Sequence, residues 1–218
     1  MLFKRLITVV LVLTLMGFAV HAYPGVIACA LVSGSVKQTV TEEQLLSAAS
    51  SRIDKLFGAR QANPVIVFNA PERFWPLSLN EYGSTSFLGQ KTCVMIGAKG
   101  RNLDVVAHEL MHAEIVHRVG YWRRLTALPV WFDEGLAMQV DFRPRYRLPQ
   151  GASSTYVKTL DSSRDFFVAD DQQLTNHYAA AKAEVALWVS GVGHATVYQQ
   201  LERLASGVAF AAVVEEGH

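Results

Sequence analysis

The stretch VVAHELMHAEIVH, residues 105 to 117, sets three histidines and two glutamates among apolar neighbours. Read as a helix turning about 100° per residue from His108, it places His112 at about 40° and Glu109 at about 100°. These three side chains share one face. Two imidazoles one turn apart can reach a single divalent ion, and the adjacent carboxylate can take a proton from water that such an ion activates. His117 falls at about 180° and Glu114 at about 240°, so neither can join them. The rest of the stretch is apolar almost all round, which implies burial. A buried helix carries two imidazoles and a carboxylate on one stripe only if each finds a hydrogen-bond partner or a metal.

A catalytic zinc needs a third protein ligand and one open position. PVWFDEGLA, residues 129 to 137, offers Glu134, 22 positions after His112, beside Gly135, which permits close backbone approach. HELMH followed by WFDEGLA resembles the gluzincin metallopeptidases (peptidase MA-like), in particular the alanyl-aminopeptidase and leukotriene-hydrolase type. The resemblance spans about residues 85 to 205. It implies that His108, His112 and Glu134 bind one Zn2+ per chain and that Glu109 is the general base. Asp133 reads as a solvated acid at the start of a short helix, favoured there by the helix dipole.

Family members also place a tyrosine just ahead of a later helix, where its phenol donates to the developing oxyanion. Tyr178, in NHYAAAKAEVALWV, is the residue this likeness points to. Enzymes of the aminopeptidase type carry G-x-M-E-N upstream, with a Glu that holds the substrate's free amine. The corresponding KTCVMIGAKGRNLD has no Glu, so the resemblance implies an endopeptidase or a special-substrate peptidase. The family's matching strand pairs with substrate backbone, which makes Cys93, Val94 and Met95 candidate substrate-binding residues. A non-catalytic binding module on the same fold is the alternative.

The elements that must position these groups are legible in outline. Thr41-Glu42-Glu43-Gln44 has the form of a capping box, followed by Leu45, Ala49, Ile53 and Leu56 at helical spacing and a stop at Gly58. PVIVFN reads as a strand. Thr85 to Leu88 and Thr92 to Gly97, separated by Gly89-Gln90-Lys91, read as a hairpin. The site helix runs from about Leu103 to Val119, closed by Gly120, and a short helix starts near Asp133. Residues 142 to 176 read as a long, partly irregular connection. Helices from Tyr178 to Ser190 and His194 to Ala205, then a short turn, complete an α+β fold with a small mixed β-sheet ahead of the active-site helix and a mainly helical C-terminal half.

At 218 residues, half of them hydrophobic and 18% charged, the chain is an ordinary globular one. Its net charge of +1 leaves no basic excess for a nucleic-acid backbone. Lys4 and Arg5 precede an apolar run from Leu6 to Val20, and Val20-His21-Ala22 offers small-residue cleavage positions. Residues 1–22 therefore read as a secretory signal peptide, with an N-terminal membrane anchor over residues 6–22 as the alternative. Either places a single domain, residues 23–218, outside the cytoplasm, periplasmic or extracellular. In that oxidising compartment Cys29 and Cys93 are expected to form a disulfide, against the alternative of two buried thiols. Arg143, Arg145 and Arg147 in FRPRYRLP read as a solvated charged loop, or as a grip for a substrate carboxylate or an anionic lipid. Arg118, Arg123 and Arg124 suit a helix C-terminus. A peptide or protein is the expected substrate.

Overall fold

The computed structural model describes residues 38–69, 73–74, 77–78, 81–88, 91–168 and 170–217. The signal or anchor segment 1–22, Cys29 and the hairpin residues Gly89 and Gln90 lie outside them. The chain is α+β, a small mixed sheet with eight helices among the described residues.

Helix α1, Val40–Phe57, opens two residues before the expected box. Thr39 is the N-cap and Glu42 the reciprocal partner, with the Thr39 amide donating to Glu42 at 2.8 Å. Gly58, at φ 96°, closes the helix as expected. Strand β1 is Val65–Phe68. Two short strands, β2 (Arg73–Phe74) and β3 (Leu77–Ser78), pair with each other. Strands β4 (Gly83–Leu88) and β5 (Lys91–Ile96) form the hairpin, antiparallel, with Ser84 opposite Met95 and Ser86 opposite Cys93. β1 joins the far side of β5 in parallel, Val65 opposite Cys93. The order β1-β5-β4 makes the sheet mixed and puts β5 in its middle.

Helix α2, Leu103–Val119, has the expected boundaries. Asn102 accepts from the Val105 amide at 3.0 Å, and Gly120, at φ 84°, lets its own amide reach the Val116 carbonyl. α2 is the core element. It packs on α1, on β4 and β5, and on three helices that follow it. The first, α3 (Tyr121–Ala127), was not legible, because none of its residues is buried and its apolar side chains Trp122 and Leu125 are exposed. Next comes α4, Val130–Ala137, which starts three residues before Asp133, on Pro129. The 142–176 connection contains two single-turn 3₁₀ segments and α5, Ser163–Phe166.

Helix α6, Asp171–Val192, begins seven residues before Tyr178. Asp170 caps it, accepting from the Gln173 amide at 2.6 Å. Its first turns, DQQLTN, are polar, so apolar periodicity starts late. α7 (Val197–Ala205) and α8 (Phe210–Glu215) finish the chain. Gly191, expected in a loop, lies inside α6, where its α-carbon faces the Gly217 backbone. No helix among the described residues is long and apolar enough to cross a membrane.

α4 lies against α6 at Gly135, where an added Cβ would stand 2.5 Å from the Ala181 carbonyl oxygen and 2.6 Å from Val185 Cγ2. Alanine would favour an isolated helix by about 1 kcal/mol, but here it must push two helices apart. Gly135→Ala is expected to destabilise the protein by about 1–3 kcal/mol. Urea unfolding checks this, and an unchanged or raised midpoint would contradict the close packing.

Candidate metal centre

α2 and α4 cross so that His108, His112 and Glu134, all buried, bring one ligand atom each to a common point. His108 Nε2 and His112 Nε2 are 3.1 Å apart, and Glu134 Oε2 is 3.4 Å from each. Donors about 2.0–2.1 Å from one ion at tetrahedral angles would be about 3.3 Å apart. The three therefore fit a single metal ion. Glu134 Oε2 is buried and takes no hydrogen bond, which leaves a lone pair for such an ion. Glu134 lies mid-helix rather than at the start of α4, and Gly135 next to it explains how α4 comes close enough to α6 to be held there.

Asp133 departs from expectation. It is buried, not solvated, and its Oδ1 lies 3.2 Å from His112 Nδ1 while Arg124 pairs with its other oxygen. Accepting at Nδ1–H fixes the His112 tautomer with its Nε2 lone pair aimed at the site. Arg124 thus has a partner and a place, with its guanidinium over the Phe87 ring at 4.3 Å. Sequence reasoning assigned it only to a helix end. The signal available was the pair of charges Arg124 and Asp133, bracketing Pro129.

Charge explains why the group could take a cation. Burial works against an imidazolium at His112, but the carboxylates of Glu134 and Asp133 outweigh it and hold the pKa well above the ordinary value. Burial would likewise raise the Glu134 carboxyl, yet His112 and His108 keep it well below the usual carboxylate range. A metal held there would have to displace any proton on its ligand nitrogens.

Glu109 stands beside this group on the wall of a cleft of about 260 Å3 that also exposes Gly83, Thr85 and Tyr178. The Thr85 hydroxyl donates to Glu109 Oε2 at 2.8 Å, leaving Oε1 free on the side of Gly83. A Cβ at Gly83 would sit 2.9 Å from Glu109 Cγ and Oε1, so a larger residue there would have to displace the Glu109 side chain. Gly83 and Thr85 are site residues that the sequence reading did not single out. Both lie on one face of β4, the face toward α2, and that alternation was the available signal.

Tyr178 reaches the cleft, with its ring 6.3 Å from that of His108, although it sits within α6 instead of ahead of it. Burial, then the Glu134 carboxylate, raises its phenol well above the ordinary value, so it stays a proton donor. A second cavity, about 340 Å3 and flanked by Leu125, Leu128 and Asp161, meets the cleft at Arg124, Glu134 and Phe167. His117 is exposed, and Glu114 faces away from the site, accepting from the Gln61 and Ala62 amides at 2.9 and 2.8 Å and from Arg118 Nε at 2.7 Å.

The expected substrate strand needs correction. Cys93, Val94 and Met95 are buried in the middle strand, with β1 and β4 occupying both edges. β5 has no edge to offer a peptide. Cys93 is disulfide-bonded, while Cys29 lies outside the described residues. Comparison of the chain with protein-family models, with curated proteins and with solved structures found no match.

If Asp133 orients His112, Asp133→Asn should weaken binding of a divalent ion about 10–100-fold. Competition with a chromogenic chelator measures it. Affinity equal to that of the parent protein would deny Asp133 this role.

Proposed function

We propose that the chain is a zinc-dependent peptidase, exported from the cytoplasm, that hydrolyses peptide bonds with Glu109 as general base. The observation that carries this reading is one arrangement: the convergent His108, His112 and Glu134 atoms with the Glu109 carboxylate beside them in an open cleft. Two imidazoles and a carboxylate are a donor set that suits zinc. Zinc held there would supply an acidified water and a Lewis acid for the scissile carbonyl.

The chain's own groups account for the rest. Glu109, with Oε2 occupied by Thr85, takes a proton from the attacking water at Oε1. The water oxygen bonds to the carbonyl carbon, the C–N bond breaks, and the proton passes to the departing amine. Tyr178, held protonated by burial, donates to the oxygen on which negative charge develops. The strand β4, an edge among the described residues, with Gly83 and Thr85 flanking Glu109, gives an extended peptide N–H and C=O groups to bind. A closed structural zinc site would need no carboxylate held next to its ligands and would fill the fourth position with protein.

Glu109→Gln should retain about one zinc per chain by elemental analysis while turnover of a peptide library falls about 10²–10⁴-fold. Zinc bound by the parent protein with no turnover of any peptide would instead favour a binding module on this scaffold. Tyr178→Phe should lower kcat about 10²-fold with little change in KM. A selective rise in KM would give Tyr178 a binding role and remove it from the chemistry.

A further inference from the structure

The cleft is not symmetric along β4. Glu109 is flanked by Gly83 and Thr85, at the strand's first residues, so the reacting position lies near its N-terminal end. Just before Gly83, the Tyr82 carbonyl already accepts from the Gly97 amide at 2.9 Å. Two guanidinium groups lie over the Tyr82 ring, Arg143 at 5.8 Å and Arg145 at 5.7 Å. The same two lie over Tyr146, at 4.8 and 4.6 Å. Tyr146 packs on Tyr178 with centroids 5.4 Å apart. Arginines sandwiched between tyrosines therefore link the residue before β4 to Tyr178 on the helical wall, beside the Gly83 end of the cleft.

This end is positive. The acids around it are matched: Asp141 by Arg143, Asp104 by Arg52, and Glu81 by Lys99. Arg145 bonds the Tyr146 hydroxyl, and no carboxylate among the described residues pairs with it. Chain direction agrees with charge. A peptide added antiparallel to β4, the more stable pairing, runs from the Leu88 end toward Gly83. Its C-terminal side then meets Arg145, whereas the reverse direction would bring a free amine against a guanidinium. Arg145 lies over the ring of Tyr82, the neighbour of the Gly83 that abuts Glu109, so at about 3.3 Å per residue roughly one or two residues reach from Glu109 to it.

We propose that Arg145 holds the free C-terminal carboxylate of the substrate, so that one or two residues are released from the C-terminal end of a peptide. The proposal rests on the peptidase reading and narrows the special substrate to peptides with an unblocked C-terminus. Guanidinium–carboxylate recognition of this kind is charge-assisted and directional.

The test compares an N-acetylated hexapeptide carrying a free C-terminal carboxylate with its C-terminal amide, on zinc-loaded full-length protein. The acid should be cleaved one or two residues from its end, with kcat/KM about tenfold or more above that of the amide. Arg145→Ala, shown folded by its melting curve, should bring that ratio close to one. Equal rates for acid and amide, cleavage mid-chain, or a ratio untouched by Arg145→Ala would overturn the proposal and leave a peptidase. Binding of the same pair to Glu109→Gln protein needs no turnover. There the acid should bind about tenfold tighter than the amide, and adding Arg145→Ala should abolish the difference. That discrimination in binding without cleavage by the parent protein would keep the carboxylate seat and sink the peptidase.

Discussion

Three buried carboxylates, Glu109, Asp133 and Glu134, share one small region with two imidazoles and a single guanidinium. Each buried charge costs several kcal/mol unless it is compensated, and Arg124 compensates only Asp133. The rest of the architecture around the cleft follows from this shortage of positive charge. Glu134 is left with a bare oxygen equidistant from two imidazole nitrogens. Glu109 is reduced to one hydroxyl donor, so one oxygen is left without a partner among the described residues. A core with this composition favours positive charge, and against the cost of burial the Glu134 and Asp133 carboxylates hold the His112 pKa above its ordinary value.

Tolerating such a group requires rigid support, and α2 has it on its opposite side. Glu114, also fully buried, is satisfied by two backbone amides of the 61–62 segment and by Arg118. Arg118 pairs in turn with Glu202 on α7 and lies over the Tyr198 ring at 4.3 Å. One helix thus carries two polar stripes with opposite fates. The stripe of Glu114 is saturated by protein, which fixes the helix in rotation. The stripe of His108, Glu109 and His112 is deliberately incomplete.

The ends of α2 were readable because Asn102 and Gly120 solve local backbone problems that composition reveals. The ligand trio was readable because spacing along two helices determines which side chains share a face. What escaped was non-local. Alternation identifies β4 and β5 as strands, but it cannot tell which one ends up in the middle, and so β5 was read as having an edge that the sheet order leaves to β4. Asp133 looked like an exposed cap because nothing nearby in sequence shows that Arg124 and His112 close over it. α3 buries no side chain, and the first turns of α6 carry too few apolar residues to announce a helix.

The distance along the chain between the ligands has a consequence for how the protein forms. His112 and Glu134 are 22 positions apart, and Thr85 and Glu109 are 24. Closing loops of that size costs little entropy, and each doubling adds only about 0.6 kcal/mol. The ionic centre is therefore an object of low contact order, assembled from residues 83 to 134. Tyr178 belongs to α6, brought in by the Gly135 contact from far later in the sequence. Newly made chain can thus assemble the group that could hold a cation before the Tyr178 phenol closes over the cleft.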